Sequence, residues 1–179
     1  MPAVSTRLSP TRSEEAAVTV ILAIDPGPVR SSWVRLDTTD EKVLAFGIGQ
    51  DNEQLVDVLR CLSCPGELDC MVVEKVQSYG RSVGAPIFET VFWSGRFAEA
   101  VYPLPVERIA NPTVRTHLCG RAGVGYPELK SALYDRFGGV EGRAKAVGVK
   151  KAKGPLYGFT GDDVYAALGL AVTWADLHA

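Results

Sequence analysis

The chain has 179 residues, 46% hydrophobic and 22% charged, with a formal charge of −2. That length suits one domain with a sizeable core, and that balance is ordinary for a soluble globular protein. No apolar run approaches the ~20 residues that cross a bilayer, so the sequence offers no membrane span.

Residues 1–17 (MPAVSTRLSPTRSEEAA) lack an apolar segment of signal-peptide type and include Glu14 and Glu15. They read as a disordered lead-in to a single domain over 18–179, with the cytoplasm as the expected compartment. Residues 18–24 (VTVILAI) form a β-branched apolar run, which predicts a central strand buried on both faces. It ends at Asp25, followed by the turn residues Pro26-Gly27-Pro28. Strands are expected at 31–38 and 42–48, completing an antiparallel meander. Leu55, Val58, Leu59 and Leu62 repeat at helical spacing, so 51–62 is a surface helix with Asp51 as N-cap.

Residues 70–76 (CMVVEKV) predict a fourth strand, parallel to the first, carrying Glu74. A polar loop (77–83) leads to a helix over 85–101, in which Gly95 is expected to mark close packing on the sheet. Residues 104–109 make a fifth strand, at an edge if Pro105 lies within it. Two short helices follow, 112–118 ended by Gly120 and 127–137 ended by Gly138-Gly139. Residues 140–158 are basic and Gly-rich and read as a mobile loop. A last, alanine-rich helix runs from about Asp162 to Leu177. The alternation predicts an α/β fold: a five-stranded mixed sheet flanked by helices.

Three short segments thus bring a carboxylate to the end of an apolar element: Asp25, Glu74, and Asp163 with its neighbour Asp162. Each has a bland reading, namely turn chemistry for Asp25, an ion pair for Glu74, and N-capping for Asp162 and Asp163. Glu74, however, shares a strand face with Val72 and Val76. A buried carboxylate is costly unless paired or holding a cation. Hard divalent ions are held by such oxygens together with waters and phosphates. Jointly the acids point to a metal-dependent phosphodiester-cleaving enzyme with no need of a nucleotide cofactor.

The charge is unevenly spread. Residues 107–153 carry ten Lys/Arg against four acids, net +6. Cations for backbone phosphates beside carboxylates for metal suit a nuclease. Lys150, Lys151 and Lys153, just before the third acid, are candidate phosphate contacts. Tyr79 and Arg81, after Glu74, are candidates for stacking on an unpaired base. Phe88, Phe92, Trp93 and Trp174 read as core or dimer contacts. Cys61 and Cys64 form a CxxC without a second pair, and with Cys70 and Cys119 they read as reduced, mostly buried thiols rather than a zinc site.

The segments AIDPG (23–27), VVEKV (72–76) and DDVYAALGLAVT (162–173) resemble the three acidic motifs of the RuvC-type Holliday junction resolvases of the RNase H-like superfamily. VGAPIFETVFWSGRFAEAV is similar to that family's helix after the second acid. NPTVRTHLCGRAGVGYPELKSAL is similar to its P-x-x-V-K…G-x-G…K stretch, and KAKGPLYGFTGDD to a form seen in phage and prophage members. The resemblance covers roughly residues 18–175. It implies a homodimeric endonuclease that cuts branched DNA symmetrically with Mg²⁺ or Mn²⁺. Asp25 would bridge two ions, Glu74 would hold one and Asp163 the other. Arg115 and Lys130 fall where the family has basic residues facing DNA, and Arg121 in the same stretch joins them as a candidate contact. One departure stands out. Many members carry a second ligand three residues along the last helix, but here Ala166 and Tyr165 occupy the corresponding positions, leaving either Asp162 as the substitute or a site that works with three acids. Two alternatives stay open: a nuclease for RNA:DNA hybrids or single strands on the same scaffold, and a junction-binding protein whose cleavage is weak or lost.

Overall fold

Apolar alternation along two parallel strands decides which way the acids face. The computed structural model describes residues 19–63, 66–78, 80 and 82–179; the expected lead-in over 1–17 lies outside them. Strands β1 (Val20–Asp25), β2 (Arg30–Asp37) and β3 (Lys42–Asp51) form the meander. Helix α1 (Asn52–Leu62) crosses to β4 (Cys70–Glu74), and α2 (Ala85–Ala100) crosses to β5 (Val106–Ile109). The sheet order is β3-β2-β1-β4-β5, antiparallel across β1–β3 and parallel from β1 to β5. This is the expected five-stranded mixed sheet. β5 is an edge strand, but Pro105 precedes it and accepts a bond from the Met71 N–H at 2.9 Å.

Ile21, Ala23, Cys70 and Val72 face one layer, built from α3 (Asn111–Cys119), α4 (Tyr126–Gly138) and α6 (Asp163–Leu177). Leu22, Ile24, Met71 and Val73 face the other, with α1 and α2. By that alternation Asp25 and Glu74 both point into the α6 layer. α6 is buried on all sides from Val164 to Trp174, which is why it reads as uniformly apolar rather than striped. Gly169 lets it close on its neighbours: a Cβ there would stand 3.0 Å from Val114 Cγ1 and 3.4 Å from Leu129 Cδ1.

Three expectations need correction. Gly95 does not pack on the sheet; a Cβ there would meet nothing within 4 Å. The segment 140–158 is not a featureless loop. It holds a 3-10 turn (Gly139–Glu141), α5 (Arg143–Val147) and a hairpin of β6 (Gly148–Val149) and β7 (Ala152–Lys153). The hairpin base is fixed by Gly154 N–H to Val147 O at 3.0 Å and Leu156 N–H to Ala146 O at 2.8 Å. Gly154 passes so close to α5 that a Cβ would fall 2.1 Å from Lys145 O. Finally, of the cysteines expected to be mostly buried, Cys70 is buried and Cys119 half-buried, but Cys61 is exposed; Cys64 lies outside the described residues. No helix among the described residues is long and apolar enough to cross a membrane.

Candidate active site

Register brings the first two acids together. Ile24 pairs with Val73 across β1 and β4, so Asp25 and Glu74 stand one step further along, at the carboxyl ends of adjacent parallel strands. Burial pushes the Asp25 carboxyl up to about 9, helped by the charge of Glu74, a hydrogen bond that the protonated Asp25 donates to Glu74, and the charge of Asp163. Arg115 acts the other way. Asp163 is the first residue of α6 and is exposed, so it forms the open rim of the cluster. Among the described residues, no three His, Cys, Asp or Glu side chains are already gathered into a metal-sized group. Asp25 and Glu74 make the tight pair, with Asp163 within electrostatic reach of it.

Asp162 takes no part in this cluster. It sits at the start of α6 without a side-chain capping bond. Its carboxylate pairs instead with Lys130 Nζ at 2.5 Å, and Lys130 Nζ lies 5.1 Å over the Tyr165 ring. Tyr165 and Ala166 are both buried, so α6 turns a single carboxylate toward Asp25.

Arg115 departs from its expected role facing DNA. It is 5% exposed. Its guanidinium donates to Asn111 Oδ1 at 3.0 Å, to the Val124 carbonyl at 3.1 Å and to the Gly125 carbonyl, and it lies 4.5 Å from the centre of the Tyr126 ring. A guanidinium is well suited to such a multi-acceptor task; here it braces the turn between α3 and α4. Tyr126 was not singled out from the sequence. Burial pushes its hydroxyl up to about 12, with Asp25, Asp163 and Glu74 adding to the rise against Arg115. Its ring therefore stands near the acids. The only local signal is its position after Gly123-Val124-Gly125, and a Tyr there is equally common as packing.

The remaining basic candidates lie further out. Arg121 is exposed in the α3–α4 turn, and Lys150 and Lys151 are exposed at the tip of the β6–β7 hairpin. Lys153, on β7, lies 5.2 Å from the Tyr157 ring centre. Tyr79 and Arg81 lie outside the described residues. Of the aromatic candidates, Trp174 is buried, whereas Phe88 and Phe92 are 63% and 57% exposed.

No protein-family model and no curated protein sequence matches the chain. Solved structures do. The Thermus thermophilus RuvC structure is 16% identical, covering 89% of this chain and 97% of its own, with a TM-score of 0.60. T. thermophilus RuvC in complex with Holliday junction substrate is 15% identical, covering 89% and 94%, at 0.67. The fowlpox virus Holliday junction resolvase is 16% identical over 89% and 99%, at 0.47. On the two Thermus matches and the sheet order just described, the chain has the RuvC-type resolvase fold, an RNase H-like α/β architecture.

Proposed function

We propose that this protein is a metal-dependent endonuclease that cuts Holliday or related branched DNA junctions by phosphodiester hydrolysis, as a homodimer. One observation carries the reading: Asp25 and Glu74 meet at the ends of adjacent parallel strands, with Asp163 at the facing helix start, on a RuvC-type fold. The donor set fits Mg²⁺ or Mn²⁺. It consists of carboxylate oxygens, which hard divalent ions prefer. Burial first, then the charges of Glu74 and Asp163, keep Asp25 protonated in the absence of a counter-charge, and Arg115, which lowers the Asp25 pKa, is committed to backbone carbonyls. Asp25, Glu74 and Asp163 would hold the metal, which supplies an activated water and charge neutralisation at the phosphate.

The chain's own groups would do the rest. Asp25 and Glu74, fixed at the ends of adjacent strands, would set where the cation is held. The Tyr126 hydroxyl, pushed up to about 12 chiefly by burial, stays neutral within electrostatic reach of the acids. Lys150 and Lys151, on an anchored hairpin, reach backbone phosphates without reading sequence. The substrate class comes from the junction complex of the Thermus neighbour. The homodimer is supported by an exposed apolar strip on α2, where Ile87, Phe88, Val91 and Phe92 lie side by side. Strips of that kind mark contact surfaces.

A second reading has its own support. Ala166 is buried and Asp162 is paired with Lys130, so α6 offers one ligand, which favours a junction-binding protein with feeble cleavage. Incubating four-way, flap, RNA:DNA hybrid and linear substrates with Mg²⁺ separates the readings. Paired nicks in the four-way junction are expected. Tight binding without nicks in Mg²⁺ or Mn²⁺ would favour the second reading, and cutting of the hybrid alone would contradict the junction assignment.

A further inference from the structure

The turn that carries Asp25 off β1 is held by a closed ring of hydrogen bonds. The Gly27 N–H donates to Ser31 Oγ at 3.1 Å. The Ser31 hydroxyl donates to Asn52 Oδ1 at 2.7 Å. The Asn52 amide donates back to the Gly27 carbonyl at 3.0 Å. Ser31 and Asn52 are 2% and 1% exposed, so water cannot easily replace their side chains in the ring. The Asn52 backbone N–H also bonds the Val29 carbonyl at 3.1 Å, tying the same turn to the start of α1. Gly27 is needed for the closure: a Cβ there would fall 2.2 Å from the Arg30 carbonyl oxygen.

This ring is an expensive way to make a turn. Asp-Pro-Gly-Pro turns without help, and a buried Ser–Asn pair carries a desolvation cost that only full satisfaction offsets. The ring braces the turn two residues after Asp25, on the sheet face opposite the carboxylate. It fixes the end of the strand that carries Asp25 beside Glu74. Groups hydrogen-bonded directly to a metal ligand are typically worth 10- to 100-fold in metal affinity; this ring acts one step further out, through the backbone, so the low end of that range is its expected effect.

We infer that Ser31 and Asn52 are positioning residues: their hydrogen-bond ring with Gly27 sets the Asp25 carboxylate for divalent-cation binding. The inference rests on Asp25 being a metal ligand. Neither residue touches the cation or the DNA.

The test is titration of the free protein with Mn²⁺, followed calorimetrically, at a temperature where each variant is folded. Ser31→Ala removes one oxygen and is the milder change; Asn52→Ala removes two partners. Thr173→Val serves as the comparison, because it removes a buried hydroxyl from the far part of α6 that has no hydrogen-bond partner. The expected result is Mn²⁺ affinity lowered ~10-fold in Ser31→Ala and in Asn52→Ala, and unchanged in Thr173→Val. The double variant should be little worse than Asn52→Ala alone, because the two residues act as one unit. Unchanged Mn²⁺ affinity in folded Ser31→Ala and Asn52→Ala, whatever their melting temperatures, would overturn the inference and leave the metal site standing. A wild-type protein that neither binds Mn²⁺ nor cuts a junction would remove the metal site, and the ring's role with it.

Discussion

Asp25 is where the energetics of the molecule concentrate. Its carboxyl is raised from the usual 3.8 to about 9 by burial, then by Glu74 and Asp163. Between about pH 4 and pH 9 the folded metal-free protein therefore holds a proton that the unfolded chain has already released. Over that window this group makes folding weaker as pH rises. Asp25→Asn removes the titration, so it should raise the metal-free melting temperature at pH 8 by a few degrees. The same change, like Glu74→Gln, should abolish junction cutting and leave junction binding largely intact. Thermal melting, gel-shift and nicking assays on one set of variants check all three. Unfolding of both variants would mark the acids as structural. These acids were legible in the sequence because each closes or opens an apolar run. Arg115, Tyr126, Ser31 and Asn52 were not. Their roles depend on contacts between segments that only the fold brings together, and nothing in a linear pattern distinguishes a buried Arg that braces carbonyls from an exposed one that meets phosphate.

At the scale of elements, the two glycines of interest exchange roles. Gly95 looked like a close-packing residue and faces open space; Gly169 is the one that fits between helices. Gly169→Ala gains ~1 kcal/mol of helix propensity. Against that, the new methyl meets Val114, stiff in its own helix, with Leu129 and Leu118 close behind. Overpacking costs ~1–3 kcal/mol, so urea denaturation should show a net loss of stability; a gain would mean α6 has slack. Helical periodicity cannot separate these glycines, because α6 is apolar all round and α2 leaves an apolar strip uncovered. The basic stretch was legible as charge but not as shape. Its glycines suggested mobility, yet Gly148, at φ +68°, and Gly154 are what allow a tight hairpin against α5. Lys150→Ala/Lys151→Ala should weaken binding to every DNA alike and reduce the salt slope by about 2. A slope equal to that of the wild type would clear the hairpin of phosphate contact.

The whole molecule follows from its strand plan. An antiparallel meander followed by two parallel strands was readable from the order of apolar runs and crossover helices, and the parallel pair β1–β4 places two acids side by side. The sequence left Phe88 and Phe92 open between core and dimer contact, and only the fold shows them exposed. The exposed strip of Phe88, Val91 and Phe92 on α2 is the surface proposed for a second copy. Phe88→Asp/Phe92→Asp should convert the protein to monomers in analytical ultracentrifugation and turn paired nicks into single, unlinked ones. A variant that remains dimeric would move the interface elsewhere.

The central claim is that three carboxylates on a RuvC-type fold form a divalent-ion site. Crystals soaked in Mn²⁺ and measured at the manganese absorption edge test it most directly. The account predicts anomalous density between the Asp25, Glu74 and Asp163 side chains, lost in Asp25→Asn. Density elsewhere, or none there at millimolar Mn²⁺, would contradict it.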